Sequence, residues 1–304
     1  MANALMRRKQ KIAEPFSDKV LDVITSAVLL CLLIVVGYPV VYTVAASISD
    51  ANALNNGQVF LWPVGFSLEG YSHVLKFKQF YAAFGNSVFY TVVGSLIQLC
   101  LKIMLAYPIS RPNFQGRRVY SKILVATMLV NAGMIPLFII KTKLGLYNNI
   151  WAFLFTGGLS TSDVFILRTA FRSTVPGELY DAASIDGASE FQMLWKIALP
   201  LCKATLSVIT LYTIVGYWNN YMTPLIYLRD EALKPLSLFL RDILQAANFK
   251  AQEGISAEEA NAISQGLVQM KYSIIVISTV PVLAAYFVVQ GYFKTGVMIG
   301  SVKG

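Results

Sequence analysis

The sequence predicts an all-α polytopic membrane protein with six transmembrane helices, and three observations carry that reading. Apolar residues make up 56% of the 304-residue chain and charged residues only 13%. The apolar residues fall in long blocks rather than at helix or strand periods, and basic residues collect between alternate blocks. A bilayer core about 30 Å thick takes roughly 20 mostly apolar residues per helix. The blocks at 20–47, 84–110, 121–140, 149–171, 204–228 and 272–293 each meet that length. A closed β-barrel would instead show short alternating segments, so helices are what satisfies the backbone in lipid.

The net charge of +9 does not point to nucleic acid, because its placement follows topology. Arg7, Arg8, Lys9, Lys11 and Lys19 precede the first span; Arg111, Arg117, Arg118 and Lys122 separate the second from the third. Arg168, Arg172, Lys196 and Lys203 lie around the connection between the fourth and fifth, and Lys294 and Lys303 follow the sixth. The positive-inside rule puts these segments, and both termini, on the cytoplasmic side of a multi-pass membrane protein. The apolar run from Val20 exceeds the about 7–15 residues of a signal-peptide core, so it is expected to stay as the first span. Cys31, Cys100 and Cys202 have neither metal nor disulfide-framework spacing and read as small apolar packing residues; no metal is expected.

Along the chain, residues 1–81 form a cytoplasmic segment, the first span with Pro39 near its outer end, and an outer loop with short helices. Residues 82–293 form a five-helix core, and 294–304 a cytoplasmic tail. Lys102 lies toward the inner end of span two, where its stem can snorkel to the interface. Span three carries Asn131, Gly133 and Pro136. Span four is interrupted from Thr156 to Asp163 by glycines and hydroxyls, poor material for a lipid-facing helix, and so is expected to face a translocation path or a partner. Asp163 either serves function at membrane depth or caps the second part of a broken helix; both readings stand. In the outer segment 229–271, residues 257–262 read as a soluble helix with Ser256 as N-cap.

The segment 174–200, between spans four and five, reads as helix, turn, helix. Pro176 suits a first turn, Gly187 the left-handed end of a helix, and Ser189 with Gln192 a capping box. Pro200 then separates the short helix from span five. Tyr180, Ile185, Phe191, Leu194 and Trp195 give this loop more apolar surface than solvation requires. Either a partner's groove or the inner ends of the protein's own spans would cover them.

Asp181-Ala182-Ala183, three residues, Gly187, nine residues, Ile197, one residue, Leu199-Pro200 resembles the EAA loop of the inner-membrane components of binding-protein-dependent ABC importers. Asp181 replaces the usual Glu, a departure that leaves the helix intact but shortens its reach to any basic partner. Residues 185–189, 218–227 and the tail 296–304 resemble the carbohydrate branch, in particular the smaller permease of complex-sugar and polysaccharide importers. The resemblance covers nearly the whole chain and implies a type I ABC importer permease fold. It also implies a second permease, in a heterodimer, two cytoplasmic ATPases that bind ATP-Mg, and an extracytoplasmic sugar-binding protein. This chain would bind no cofactor itself. Glu178, Asp181, Ala182, Ala183, Asp186, Gly187, Ala188 and Phe191 would then form the coupling helix that docks on the ATPase.

Asn131, Asp163, Trp218, Asn219, Asn220 and Tyr221 are candidates for the translocation path, since sugars are met by aromatic faces and amide or carboxylate partners. Packing and interhelical hydrogen bonding remain open for the last four. The sequence has no phosphate loop ending in Gly-Lys-Ser or Gly-Lys-Thr, and the lone His73 has no local nucleophile or metal cluster beside it. A transporter subunit without its own ATPase site is therefore expected, with other polar nutrients or an ion-coupled carrier as the alternatives.

Overall fold

A computed structural model of the chain describes residues 16–130, 132–156, 159–250 and 257–301. The described residues are almost wholly helical, with one isolated bridge between Ser49 and Phe66. In chain order the helices are α1 (Phe16–Ser47), α2 (Ala51–Asn55), α3 (Glu69–Lys76), α4 (Lys78–Ser110), α5 (Arg117–Leu129), α6 (Met134–Lys143), α7 (Ile150–Thr156) and α8 (Thr161–Thr174). There follow α9 (Gly177–Ile185), α10 (Glu190–Met193), α11 (Leu199–Leu201), α12 (Lys203–Asn219), α13 (Met222–Tyr227), α14 (Leu236–Lys250) and α15 (Ala257–Ser301).

Among the described residues, the stretches Asp18–Ser47, Lys78–Ser110 and Leu267–Gly291 are long and apolar enough to cross a bilayer. Two bent pairs raise that to five: α5 with α6, which meet at 118°, and 190–201 with α12, which meet at 85°. The expected fourth span, 149–171, is two short helices, α7 and α8, neither long enough alone. The expected soluble helix at 257–262 is instead the start of the 45-residue α15, which runs on through the sixth apolar block and as far as Ser301. Ser256 lies outside the described residues.

Packing centres on α4, which touches α8, α12, α7 and α14. α4 and α12 come close enough at Gly94 that a Cβ there would sit 2.5 Å from the Tyr217 ring. That ring cannot give way easily, because its hydroxyl donates to the Leu154 carbonyl at 2.7 Å. α15 packs on α12, α3 and α1; its Gln269 amide donates to the Ser49 carbonyl at 2.9 Å and ties the outer loop down. By contrast, none of the most apolar stretch of α1 is buried within the chain. Its outer end, from Tyr42 onward, joins a small core of Ala45, Ala46, Ala53, Leu54 and Val59, so the rest of α1 needs lipid or another protein to cover it.

Candidate functional site

The loop between α8 and α12 folds as its residues dictate. Pro176 is the N-cap of α9, one position before the first turn. α9 ends at Asp186, and Gly187 adopts φ +76° with open space where a Cβ would be, the left-handed turn that favours glycine. Ser189 and Gln192 form a reciprocal capping box, a cap worth about 1 kcal/mol. Downstream, Pro200 does not end the helix. It sits inside α11 just after a π-helical turn, Leu194–Ala198, which accommodates the hydrogen bond a proline cannot donate. The chain breaks two residues later, at Cys202, and the 85° bend lies there.

The loop's apolar residues divide between inside and outside. Tyr180, 6% exposed, and Met193, 3% exposed, are built into a core with Ala106, Tyr107 and Ile109 of α4 and Leu167 and Phe171 of α8. Leu194, Ala183 and Ala188 pack against that core. Ile185 (87% exposed), Phe191 (69%) and Trp195 (58%) stay outside, together with Glu178, Asp181, Ala182, Asp186 and Gly187. The eight expected docking residues thus lie on one projecting unit, six exposed and two alanines at its root.

That root is held by a side chain the sequence did not single out. Arg111, the C-cap of α4, places its guanidinium 3.6 Å from the centroid of the Tyr180 ring and its Nε 3.4 Å from Glu190 Oε2. Tyr107 donates to the same carboxylate oxygen at 2.8 Å. Burial pushes the Tyr180 phenol above its ordinary pKa, opposed in part by Arg111, so the ring stays neutral and its face stays available to the cation. A cavity of about 450 Å³, lined by Tyr107, Arg111, Phe114, Glu190 and Phe191 among others, opens beside this cluster. The available signals were Arg111's place at the end of an apolar block and Glu190's place directly after the N-cap Ser189; nothing local ties one to the other.

At membrane depth, Lys102 does not snorkel. Its side chain is 2% exposed, and its ammonium lies 2.7 Å from Asp163 Oδ2 and donates to Thr213 Oγ1 at 2.7 Å. One cation therefore joins α4, α8 and α12. Asp163 does not cap the second half of the break: Ser160 is the N-cap of α8 and accepts from the Asp163 backbone N–H, while the Asp163 carboxylate, in the first turn, is the partner of Lys102. The break before it is provided for on the other side too. The Phe155 carbonyl, at the end of α7, accepts from Gln98 Nε2 at 3.1 Å, and the Leu154 carbonyl from Tyr217. These are carbonyls a helix C-terminus leaves unpaired, and in lipid they need protein partners.

The other path candidates lie apart from Asp163, at the end of α12. Trp218 is 7% exposed, and its indole N–H donates to the Ser278 carbonyl of α15 at 2.9 Å. The Asn220 side chain engages the first turn of α13, its Oδ1 accepting from the Thr223 N–H and its Nδ2 donating to the Thr223 hydroxyl. Asn219 and Tyr221 remain exposed. Asn131 lies outside the described residues.

Residues 80–299 match the family described as binding-protein-dependent transport system inner membrane component. The chain belongs to that family. It is 34% identical over 266 residues to Protein LplC of Bacillus subtilis, covering 88% of this chain and 89% of that one. It is 31% identical over 287 residues, 94% of this chain and 99% of the other, to the polygalacturonan/rhamnogalacturonan transport system permease protein YtcP of the same organism. Among solved structures, a chain of a bacterial ABC transporter that imports the acidic polysaccharide alginate superposes with a TM-score of 0.81 at 34% identity. That match covers 92% of this chain and 99% of the other. The protein is thus a membrane-embedded permease of type I fold, and its curated relatives include carbohydrate ABC permeases.

Proposed function

We propose that this permease forms half of the translocation path for a sugar or oligosaccharide that an extracytoplasmic binding protein delivers, driven by ATP hydrolysis on partner ATPases. The observation that carries the reading is the 174–200 loop: a helix-turn-helix rooted in the chain's own core that leaves Ile185, Phe191 and Trp195 exposed. Large apolar residues held out on a rigid projection are a docking surface. Two relatives belong to transport systems for polysaccharides, alginate and polygalacturonan/rhamnogalacturonan, which makes polysaccharide-derived oligosaccharides the first to test.

In this reading the chain crosses the membrane six times: α1, α4, α5 with α6, α7 with α8, α12 with α13, and α15, with both termini in the cytoplasm. The broken fourth crossing is tolerated because Gln98, Tyr217, Ser160 and Lys102 satisfy its ends. A second permease completes the pore, and the two ATPases hold ATP-Mg. Glu178, Asp181, Ala182, Ala183, Asp186, Gly187, Ala188 and Phe191 form the docking unit, with Ile185 at its tip. The path runs past the Asp163 break and the exposed Asn219 and Tyr221 at the end of α12, while Trp218 and Asn220 support that end from within the bundle.

An aspartate at Ile185 tests the docking surface, because it puts a charge on a fully projecting side chain without touching the loop's core. In Ile185→Asp, the ATPase recovered with the affinity-purified permease in mild detergent is expected to fall at least tenfold, with membrane expression unchanged. Undiminished ATPase recovery would remove Ile185 and the tip of this loop from the docking surface.

A further inference from the structure

On the reading that the 174–200 loop docks on an ATPase, we infer that Arg111 is the positioning residue that carries the loop's motion into α4, and through α4 to the break in the fourth crossing. One guanidinium holds both arms of the helix-turn-helix. It stacks at 3.6 Å on Tyr180 of α9 and faces Glu190, the first residue of α10, through Nε and Nη2, each at 3.4 Å. Tyr107, one turn back on α4, donates to the same carboxylate and meets Phe171 of α8 edge-on, with ring centroids 5.9 Å apart. The task needs an arginine: a planar cation can stack on a ring and hydrogen-bond in its own plane together, which an ammonium cannot.

At the root of the loop Tyr180, Met193 and Ala198 are buried, and packed cores shift between discrete arrangements rather than deforming continuously. A push on the exposed tip therefore moves the two arms and Arg111 together. Two covalent routes also leave the loop. Toward α12 the chain passes a π turn and the 85° bend at Cys202, a geometry that absorbs motion. Toward α8 it enters a 14-residue helix that ends below the break. α4 instead runs as one helix from Lys78 to Ser110, with Pro108 confined to its last turn. Lys102 lies nine residues before Arg111, about 13 Å along the axis at roughly 1.5 Å per residue. There α4 grips Asp163 beyond the break, and one turn further Gln98 grips the Phe155 carbonyl before it. A single rod thus connects the loop to both sides of the interrupted crossing.

Spatial continuity is not coupling, so the test reads coupling directly. The complete importer, with its partner permease, ATPase and binding protein, is reconstituted in proteoliposomes, and sugar taken up per ATP hydrolysed is measured for wild type, Arg111→Lys and Tyr180→Leu. Tyr180→Phe keeps the ring beneath the guanidinium and serves as the conservative control. Arg111→Lys and Tyr180→Leu are expected to retain co-purified ATPase while sugar per ATP falls at least fivefold, and Tyr180→Phe to stay within twofold of wild type. If one of the two variants does not assemble, the other decides. A wild-type ratio in each assembled variant, beside ATP-driven uptake by the wild type, overturns the inference and leaves the proposed function standing. Wild-type uptake that proceeds without ATP overturns both.

Discussion

Lys102→Met is expected to be the most damaging single substitution in the membrane core. It leaves Asp163, whose side chain is 18% exposed, without the cation that lies 2.7 Å away, and it leaves the Thr213 hydroxyl without that donor. Removing one member of a buried pair typically costs about 3–5 kcal/mol, whereas replacing both by apolar residues of similar size is often neutral or better. The single variant should therefore show a sharply lowered Tm in detergent and poor recovery after size-exclusion chromatography. Lys102→Met with Asp163→Leu should regain most of the loss. A single variant as stable as wild type would mean that the pair is dispensable to the packing of α4, α8 and α12.

Gly187→Val is expected to weaken productive docking about tenfold while the spans stay intact. Nothing lies within 4 Å of a Cβ at this position, so the cost is not a clash but the backbone: φ is +76°, and a β-branched residue there is a genuine outlier. The left-handed conformation costs an L-residue about 1–2 kcal/mol, and each 1.4 kcal/mol is tenfold in an equilibrium. The docking-competent turn should therefore fall about tenfold in population. ATPase co-purification and uptake should fall with it, and Gly187→Asn, which tolerates positive φ, should keep most of both. Undiminished uptake by a well-expressed Gly187→Val would show that the turn geometry does not govern coupling.

What the sequence made legible was whatever depends on neighbours along the chain. Composition and block length gave the helical membrane class, Gly187 its positive φ, Ser189 and Gln192 their capping box, and the glycines and hydroxyls after Thr156 the interruption between α7 and α8. What it could not supply depends on residues far apart in sequence. Lys102 meets Asp163 61 residues away, so it looked like a lysine free to reach the interface. Trp218 finds its acceptor in Ser278, 60 residues on, so an indole that looked available to a sugar is turned into the bundle. Arg111 and Glu190, 79 residues apart, each looked like an ordinary loop charge. The bend before α12 was misplaced for a different reason. Proline is a strong local breaker, but a π turn accommodates Pro200, and the chain turns at Cys202 instead.

The most direct test of the central claim is uptake by sealed proteoliposomes that hold the permease with its partner permease and ATPase. A labelled oligosaccharide and its binding protein are supplied on one face and ATP on the other. Uptake is expected to require both and to persist when ionophores collapse the proton and sodium gradients. Uptake driven by an ion gradient with no ATPase present would contradict that claim.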